Sequence, residues 1–407
     1  MSSVAAPPEQ EGKLPPSRAD TQAEIRSAGT IKAFNFFVYG AIAVYSTYFP
    51  LYLQGIGMSK IQIGALLAGG PFISLLANPF WGYWSDRLRN IKRMLLLMLI
   101  GNLLVMQAVF QLGSIPFIYG AMLVFFFFQM PLFSQTNSLI LNSIEGTRHK
   151  FGAFRLWGSL GWALLAVGSG PAVAALGVNR LWVVYTLLML VSIGFALALP
   201  KGESKKKEGF SNSGYGKVFT NRAFLMLVLL GVLISVPNSM NMTFVAIFIS
   251  EMGGKEALIG WSAFLSSIFE IPIFLLLDRY LKRNVSTMVA GLIIISGLFT
   301  LRWLLMSAVA DPYMVVWIQG LHCLTFGGYY YIGTQLTSML VPAEFRSSGQ
   351  AAYALTWGGL SGIVAGIAGG WLFQEMGPQV MYLVGAGMSV LGIIGFIVMY
   401  RLVKRKN

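Results

Sequence analysis

Apolar runs of about 20 residues recur along the chain, separated by short polar breaks, near 32–54, 61–84, 93–112, 115–137, 152–173 and 180–199. After a polar stretch the series resumes near 222–249, 257–278, 286–308, 312–339, 348–372 and 378–400. Each run is long enough to cross a hydrocarbon core as a helix. None reads as the alternation of a half-buried strand. The pattern predicts an all-α membrane protein of twelve transmembrane helices, in two pseudo-repeated halves of six. Residues 31–200 form the first half and 218–401 the second. Residues 1–30 are expected to be a disordered cytoplasmic tail, 201–217 (KGESKKKEGFSNSGYGK) a flexible linker, and 402–407 a basic tail.

Composition sharpens this picture. Charged residues make up 11% of the chain and hydrophobic ones 56%, with a mean hydropathy of +0.68. A soluble domain carries about 25% charged residues. The formal charge of +14 comes from basic residues spread among loops, which excludes a nucleic-acid interface. With the N-terminus inside, 24 of the 29 Lys and Arg fall in inside segments and three (Lys60, Arg180, Lys255) outside. That asymmetry predicts both termini on the cytoplasmic side of the plasma membrane. The single cysteine, Cys323, excludes an internal disulfide framework. One Cys and two His give no metal site. No phosphate-binding loop is present, so neither ATP nor another cofactor is expected. The chain is read as a transporter, not an enzyme, whose partners are a small solute, a proton and the bilayer, working as a monomer.

Few titratable groups fall at membrane depth: Glu270, Arg155, Arg302 and His322. Burying such groups in hydrocarbon is costly, so they are expected to face a polar path and to act there. Glu270 is the carboxylate in the middle of an apolar run, and is the expected proton carrier. Arg302 is expected to hold it as a counter-charge and His322 to tune or relay the step. A purely structural Glu–Arg pair is the alternative. The first and fourth helices of each half supply amides and aromatics suited to a hydroxylated or ring-bearing solute, among them Asn35, Tyr39, Asn137, Asn238, Asn241, Gln319 and Trp317. FFFF at 125–128 is expected to be lipid-facing packing.

The halves echo each other. GYWSDRLRNIKR (82–93) and DRYLKRN (278–284) both lie between the second and third helices of their half, and RLWGSLGWA echoes LTWGGLSGI. The first of these resembles the loop signature of the major facilitator superfamily. That resemblance implies a conformational latch of Gly82, Asp86, Arg87, Lys92 and Arg93, with Asp278 and Arg279 in the second half. A plain topological anchor is the alternative. FGAFRLWGSLGWAL (151–164) is similar to the fifth helix of proton-coupled oligosaccharide symporters of the lactose permease group, which implies that Arg155 bonds the substrate and Trp162 stacks on it. Glu270, Arg302 and His322 match that group's coupling positions in order and spacing. The chain departs from it where Gln319 and Thr325 replace a lysine and a glutamate, where Asn238 and Asn241 replace aspartates, and where Asn137 replaces a glutamate. GLHCLTFGGYYYIG also resembles the phenylpropionate permease group. Together these imply proton-coupled uptake of a sugar or nucleoside, with uptake of an aromatic acid and efflux of amphipathic compounds as the alternatives.

Overall fold

A computed structural model of the chain describes the backbone of residues 18–111, 114–144, 147, 149–200, 221–342 and 345–405. The expected linker (201–217) and most of the expected N-terminal tail lie outside the described residues. Among the described residues there is no strand, and eleven apolar helices are long enough to span a bilayer. A twelfth span, the tenth in chain order, is assembled from Pro312–Gln319, a π-helical turn at Cys323–Gly327, and Gly328–Leu340.

The first helix begins at Arg18, well before the expected boundary, and ends at Gly55. A helix needs apolar residues only where it meets lipid, so its polar leading turns were invisible to a hydropathy reading. Prolines set other boundaries. The fourth span is two helices, Ile115–Gln129 and Leu132–Ile144, parted at Pro131. The eighth is Glu256–Ile268 followed by Glu270–Tyr280, parted at Phe269. Pro272 has no N–H to give the Ile268 carbonyl, so the helical ladder cannot run through this point. The break makes Glu270 the first residue of a new helix, where the exposed N–H groups favour a carboxylate.

Within the first half, span 1 packs on spans 5 and 6, and span 3 on spans 4 and 6. Within the second, span 9 packs on span 12, span 7 on spans 11 and 12, and span 8 on span 10. The halves meet where span 5 crosses span 8 and span 2 crosses span 11. Small residues let the backbones touch there. A Cβ on Gly64 would sit 2.0 Å from the carbonyl oxygen of Gly366, and one on Gly260 would sit 2.8 Å from that of Ala166. Polar contacts between the halves gather at the same end of the bundle. Lys60 Nζ lies 2.7 Å from Glu251 Oε1, Gln54 donates to Glu251 at 3.2 Å, and the Ile61 amide donates to Gln374 at 3.2 Å. This end is closed.

The phenylalanine run is not lipid-facing throughout, which corrects the expectation. Phe125 and Phe126 are fully buried, Phe125 against Tyr45 and Phe126 against Gly70. Gln129, next in the chain, is buried too and bonds Asn102, which in turn accepts from Tyr185. Span 4 therefore turns this face inward because it carries a polar group that must be satisfied away from lipid.

Candidate functional site

Between the halves lies a cavity of about 480 Å³. One wall comes from the first half. Arg155, Ser159 and Trp162 line it from span 5; their spacing of four and three residues places them on one helix face. The guanidinium of Arg155 lies over the Tyr39 ring, 4.5 Å from its centroid. Tyr39 meets Phe133 edge to face at 5.0 Å. Gly158 makes room for this stack, since a Cβ there would come within 3.1 Å of the Tyr39 ring. The buried Nη1 of Arg155 has no protein partner and is left available to a ligand.

The opposite wall comes from the second half: Asn238, Ser239 and Met242 of span 7, Ser266, Ser267 and Glu270 of span 8, His322 and Phe326 of span 10, and Trp357 of span 11. π-Helical turns at Cys323–Gly327 and Thr356–Leu360 place the last three. Such turns shift side chains by one position relative to a regular helix and recur at functional sites. The His322 and Phe326 rings stack at 4.9 Å, and Phe326 meets Trp357 edge to face at 5.1 Å.

Behind this wall sits Arg302, fully buried. The expected direct Glu270–Arg302 pair is not what the structure holds. Arg302 donates to Gln319 Oε1 at 2.6 Å and to Thr325 Oγ1 at 3.2 Å, and Nη1 lies 3.0 Å from His322 Nδ1. Arginine can only donate, so Nδ1 accepts and the ring proton sits on Nε2. That Nε2 is 3.8 Å from Glu270 Oε1, beyond hydrogen-bond reach. The imidazole thus stands between the guanidinium and the carboxylate. Asn241 and Gln319 bond one another at 3.1 and 3.3 Å, and Tyr382 donates to Asn241 at 3.1 Å. Neutral amides therefore brace Arg302 from behind.

Of the expected binding residues, Arg155, Trp162, Tyr39 and Asn238 line the main cavity. Asn241 and Gln319 line a smaller recess beside it, which Trp162 shares. Asn35 is fully buried with both amide atoms unpartnered, and the Asn137 carbonyl is likewise unpartnered. Neither lines the main cavity. Trp317, expected on a cavity-lining helix, is 75% exposed. Sequence reasoning missed Ser159, Ser266, Ser267, Phe133, Phe326 and, as a site residue, Trp357. One signal was available: the paired serines precede Glu270 by three and four residues, so they share its side of the span. The repeat echo misleads here. Trp357 faces the cavity, while its counterpart Trp157 lines an outer groove with Phe36 and Lys32.

The expected latch residues sit at the end opposite the closed contact. Gly82 and Arg87 occupy the last turns of span 2, and Arg87 donates to Tyr83 at 3.0 Å. Lys92 donates to the Leu197 carbonyl at 2.5 Å, and Arg93 follows it at the start of span 3. Asp278 accepts from Arg283 at 2.6 Å and from Tyr331 at 2.9 Å, while Arg279 lies over Tyr280. These contacts stay within one half or the other. The Asp86 side chain lies outside the described residues.

The profile of the MFS_1 like family matches residues 29–384. The chain is 26% identical over 381 residues to the maltose permease of Geobacillus stearothermophilus, covering 91% of this chain and 93% of that protein. It is 26% identical over 362 residues to the probable 3-phenylpropionic acid transporter of Escherichia coli K12, covering 85% and 90%. The crystal structure of the nucleoside transporter NupG superposes with a TM-score of 0.79 at 17% identity, over 92% of this chain and 98% of that one, which shows a shared fold. The protein belongs to the MFS_1 like family and is a multi-pass membrane transporter of the major facilitator fold, not an enzyme.

Proposed function

We propose that this protein is a proton-coupled symporter that takes up a small ring-bearing, hydroxylated solute, of the sugar or nucleoside class, across the plasma membrane. The observation that carries the reading is the placing of Arg155 on one half and Glu270 on the other, on facing walls of one cavity. A solute bonded to Arg155 and to the serines and Asn238 of the far wall ties the halves together, and Trp162 offers a ring face for stacking. A bare carboxylate in that cavity opposes its closure away from water, and a proton on Glu270 removes the obstacle. The Nε2–H of His322 is placed to stabilise the ionised form once the proton has left. The lysine and arginine distribution supports a cytoplasmic position for both termini, and so a structure closed outside and open to the cytoplasm.

A second reading is uptake of an aromatic acid. Tyr39, Phe133, Trp162, Phe326 and Trp357 all border the cavity, and the free Nη1 of Arg155 suits a carboxylate. Thermal stabilisation of the purified protein by a panel of sugars, nucleosides and arylcarboxylates separates the two. Coupling is tested in vesicles with Glu270→Gln. It is expected to abolish accumulation driven by a proton gradient while sparing counterflow between equilibrated pools. Uphill accumulation by this variant would rule out Glu270 as the coupling group.

A further inference from the structure

Away from the transport path, spans 9 and 12 pack side by side at the end of the bundle where the chain finishes. Span 9 begins there, at Val285, and span 12 ends there, at Lys404. Between them is a recess of about 390 Å³ lined by Ile293, Ile397, Tyr400, Arg401, Lys404 and Arg405. Ile397, Arg401 and Lys404–Arg405 follow at intervals of four and then three to four residues, so they share one helix face. At 1.5 Å per residue, Ile293 lies about 12 Å inside the start of its span and Ile397 about 10 Å inside the end of its own. The two isoleucines therefore sit at matching distances from the ends of their helices, beneath the basic residues. The recess grades from an apolar floor, past a phenol, to three cations at its mouth.

None of the three cations is paired with a carboxylate among the described residues. Like charges within two turns repel one another, and the recess holds no acidic group to offset them. Cations at a helix C-terminus are favoured by its dipole, and basic loops fix topology. Neither effect calls for a concave site with an apolar floor beneath the charges. An anion alone would answer the cations and leave the floor empty. An acyl chain alone would do the reverse.

We infer that the recess is a binding site for one anionic phospholipid. Its phosphate is taken by Arg401, Lys404 and Arg405, its glycerol region lies against Tyr400, and one acyl chain lies on Ile293 and Ile397. Guanidinium groups suit phosphate oxygens through paired donors, and basic residues next to a span draw anionic headgroups. The ligand is on neither wall of the transport cavity, so it binds whatever solute is carried.

Native mass spectrometry of the delipidated full chain, offered phosphatidylglycerol and phosphatidylcholine with the same acyl chains, tests this. The unaltered protein is expected to retain the anionic lipid at least fivefold over the zwitterionic one. The triple substitution Arg401→Gln, Lys404→Gln and Arg405→Gln should remove that preference. Ile397→Trp, or Ile293→Trp from the neighbouring span, leaves every charge in place and fills the floor. Each should lower retention severalfold, and an excess of glycerol 3-phosphate should not displace the lipid. A preference that survives the triple substitution overturns the site. So does a preference indifferent to both tryptophans, which would mean diffuse surface attraction. Displacement by glycerol 3-phosphate would show a soluble phosphate site and overturn the lipid assignment.

Discussion

At the scale of single residues the centre of interest is a chain of three side chains, Arg302, His322 and Glu270. Arg302 is a buried cation held by neutral acceptors, and the imidazole lies between it and the carboxylate in the cavity. The two ring nitrogens therefore face different groups, which amides can tell apart. Asparagine places its oxygen near the Nδ1 position, and glutamine reaches closer to Nε2. His322→Asn is expected to keep the contact to Arg302 and the melting temperature of the purified protein, while losing gradient-driven uptake. His322→Gln should reach toward Glu270 and leave Arg302 one acceptor short. Hydrogen bonds between membrane helices average about 0.6 kcal/mol, so its melting temperature should fall only by a few degrees. Equal losses of stability in both variants would show that the ring serves packing alone. The sequence named all three residues, since charge at membrane depth is rare enough to be seen one letter at a time. It did not yield their order in space, because i-to-j spacing across different helices carries no distance.

At the scale of elements, most of the fold was legible because hydrocarbon imposes one rule on every span. Runs near 61–84 and 286–308 became helices at Lys60–Leu88 and Val285–Ser307. What hydropathy could not give were the interruptions, and these place the site. The break at Phe269, the π turns at Cys323–Gly327 and Thr356–Leu360, and the break within the fourth span carry no charge and leave the apolar runs around them unbroken. They follow from backbone bonding and local packing, which a count of apolar residues does not register. The eighth span allows a direct test. Pro272→Ala returns an N–H to the Ile268 carbonyl and lets the ladder run on through Glu270. A continuous helix re-aims the carboxylate. Thermal stability is expected to hold or rise, whereas the proton-coupled uptake proposed above should fall by tenfold or more. Normal uptake would mean that the break has no part in presenting Glu270.

At the scale of the whole molecule, transport requires the two halves to exchange which end is closed. Beside the packing of spans 5 on 8 and 2 on 11, the charged contact that ties the closed end is small. Glu251 accepts both Lys60 and Gln54, and Lys60 also lies over the Phe373 ring at 5.2 Å. The pair is partly exposed, 26% and 33% at its two side chains, so its worth is about 1 kcal/mol or less. That still moves an equilibrium up to roughly fivefold. Glu251→Gln is therefore expected to raise, two- to fivefold, the fraction of molecules open at the Lys60 end. Labelling of a cysteine placed at Ser262, buried between the halves in the recess lined by Asn241 and Trp162, would report it, since the native Cys323 is itself buried. Asp86→Asn should act the other way. It weakens an expected anchor of the opposite end, where the described latch residues Lys92 and Asp278 bond within their own halves, and so favours the arrangement already seen. Asp86 and Glu251 belong to opposite ends of the bundle, so their effects should add and the double variant should fall between them. Labelling of Asp86→Asn that matches the unaltered protein would leave the 82–93 cluster as a topological anchor, and the closed end as the place where the balance is set.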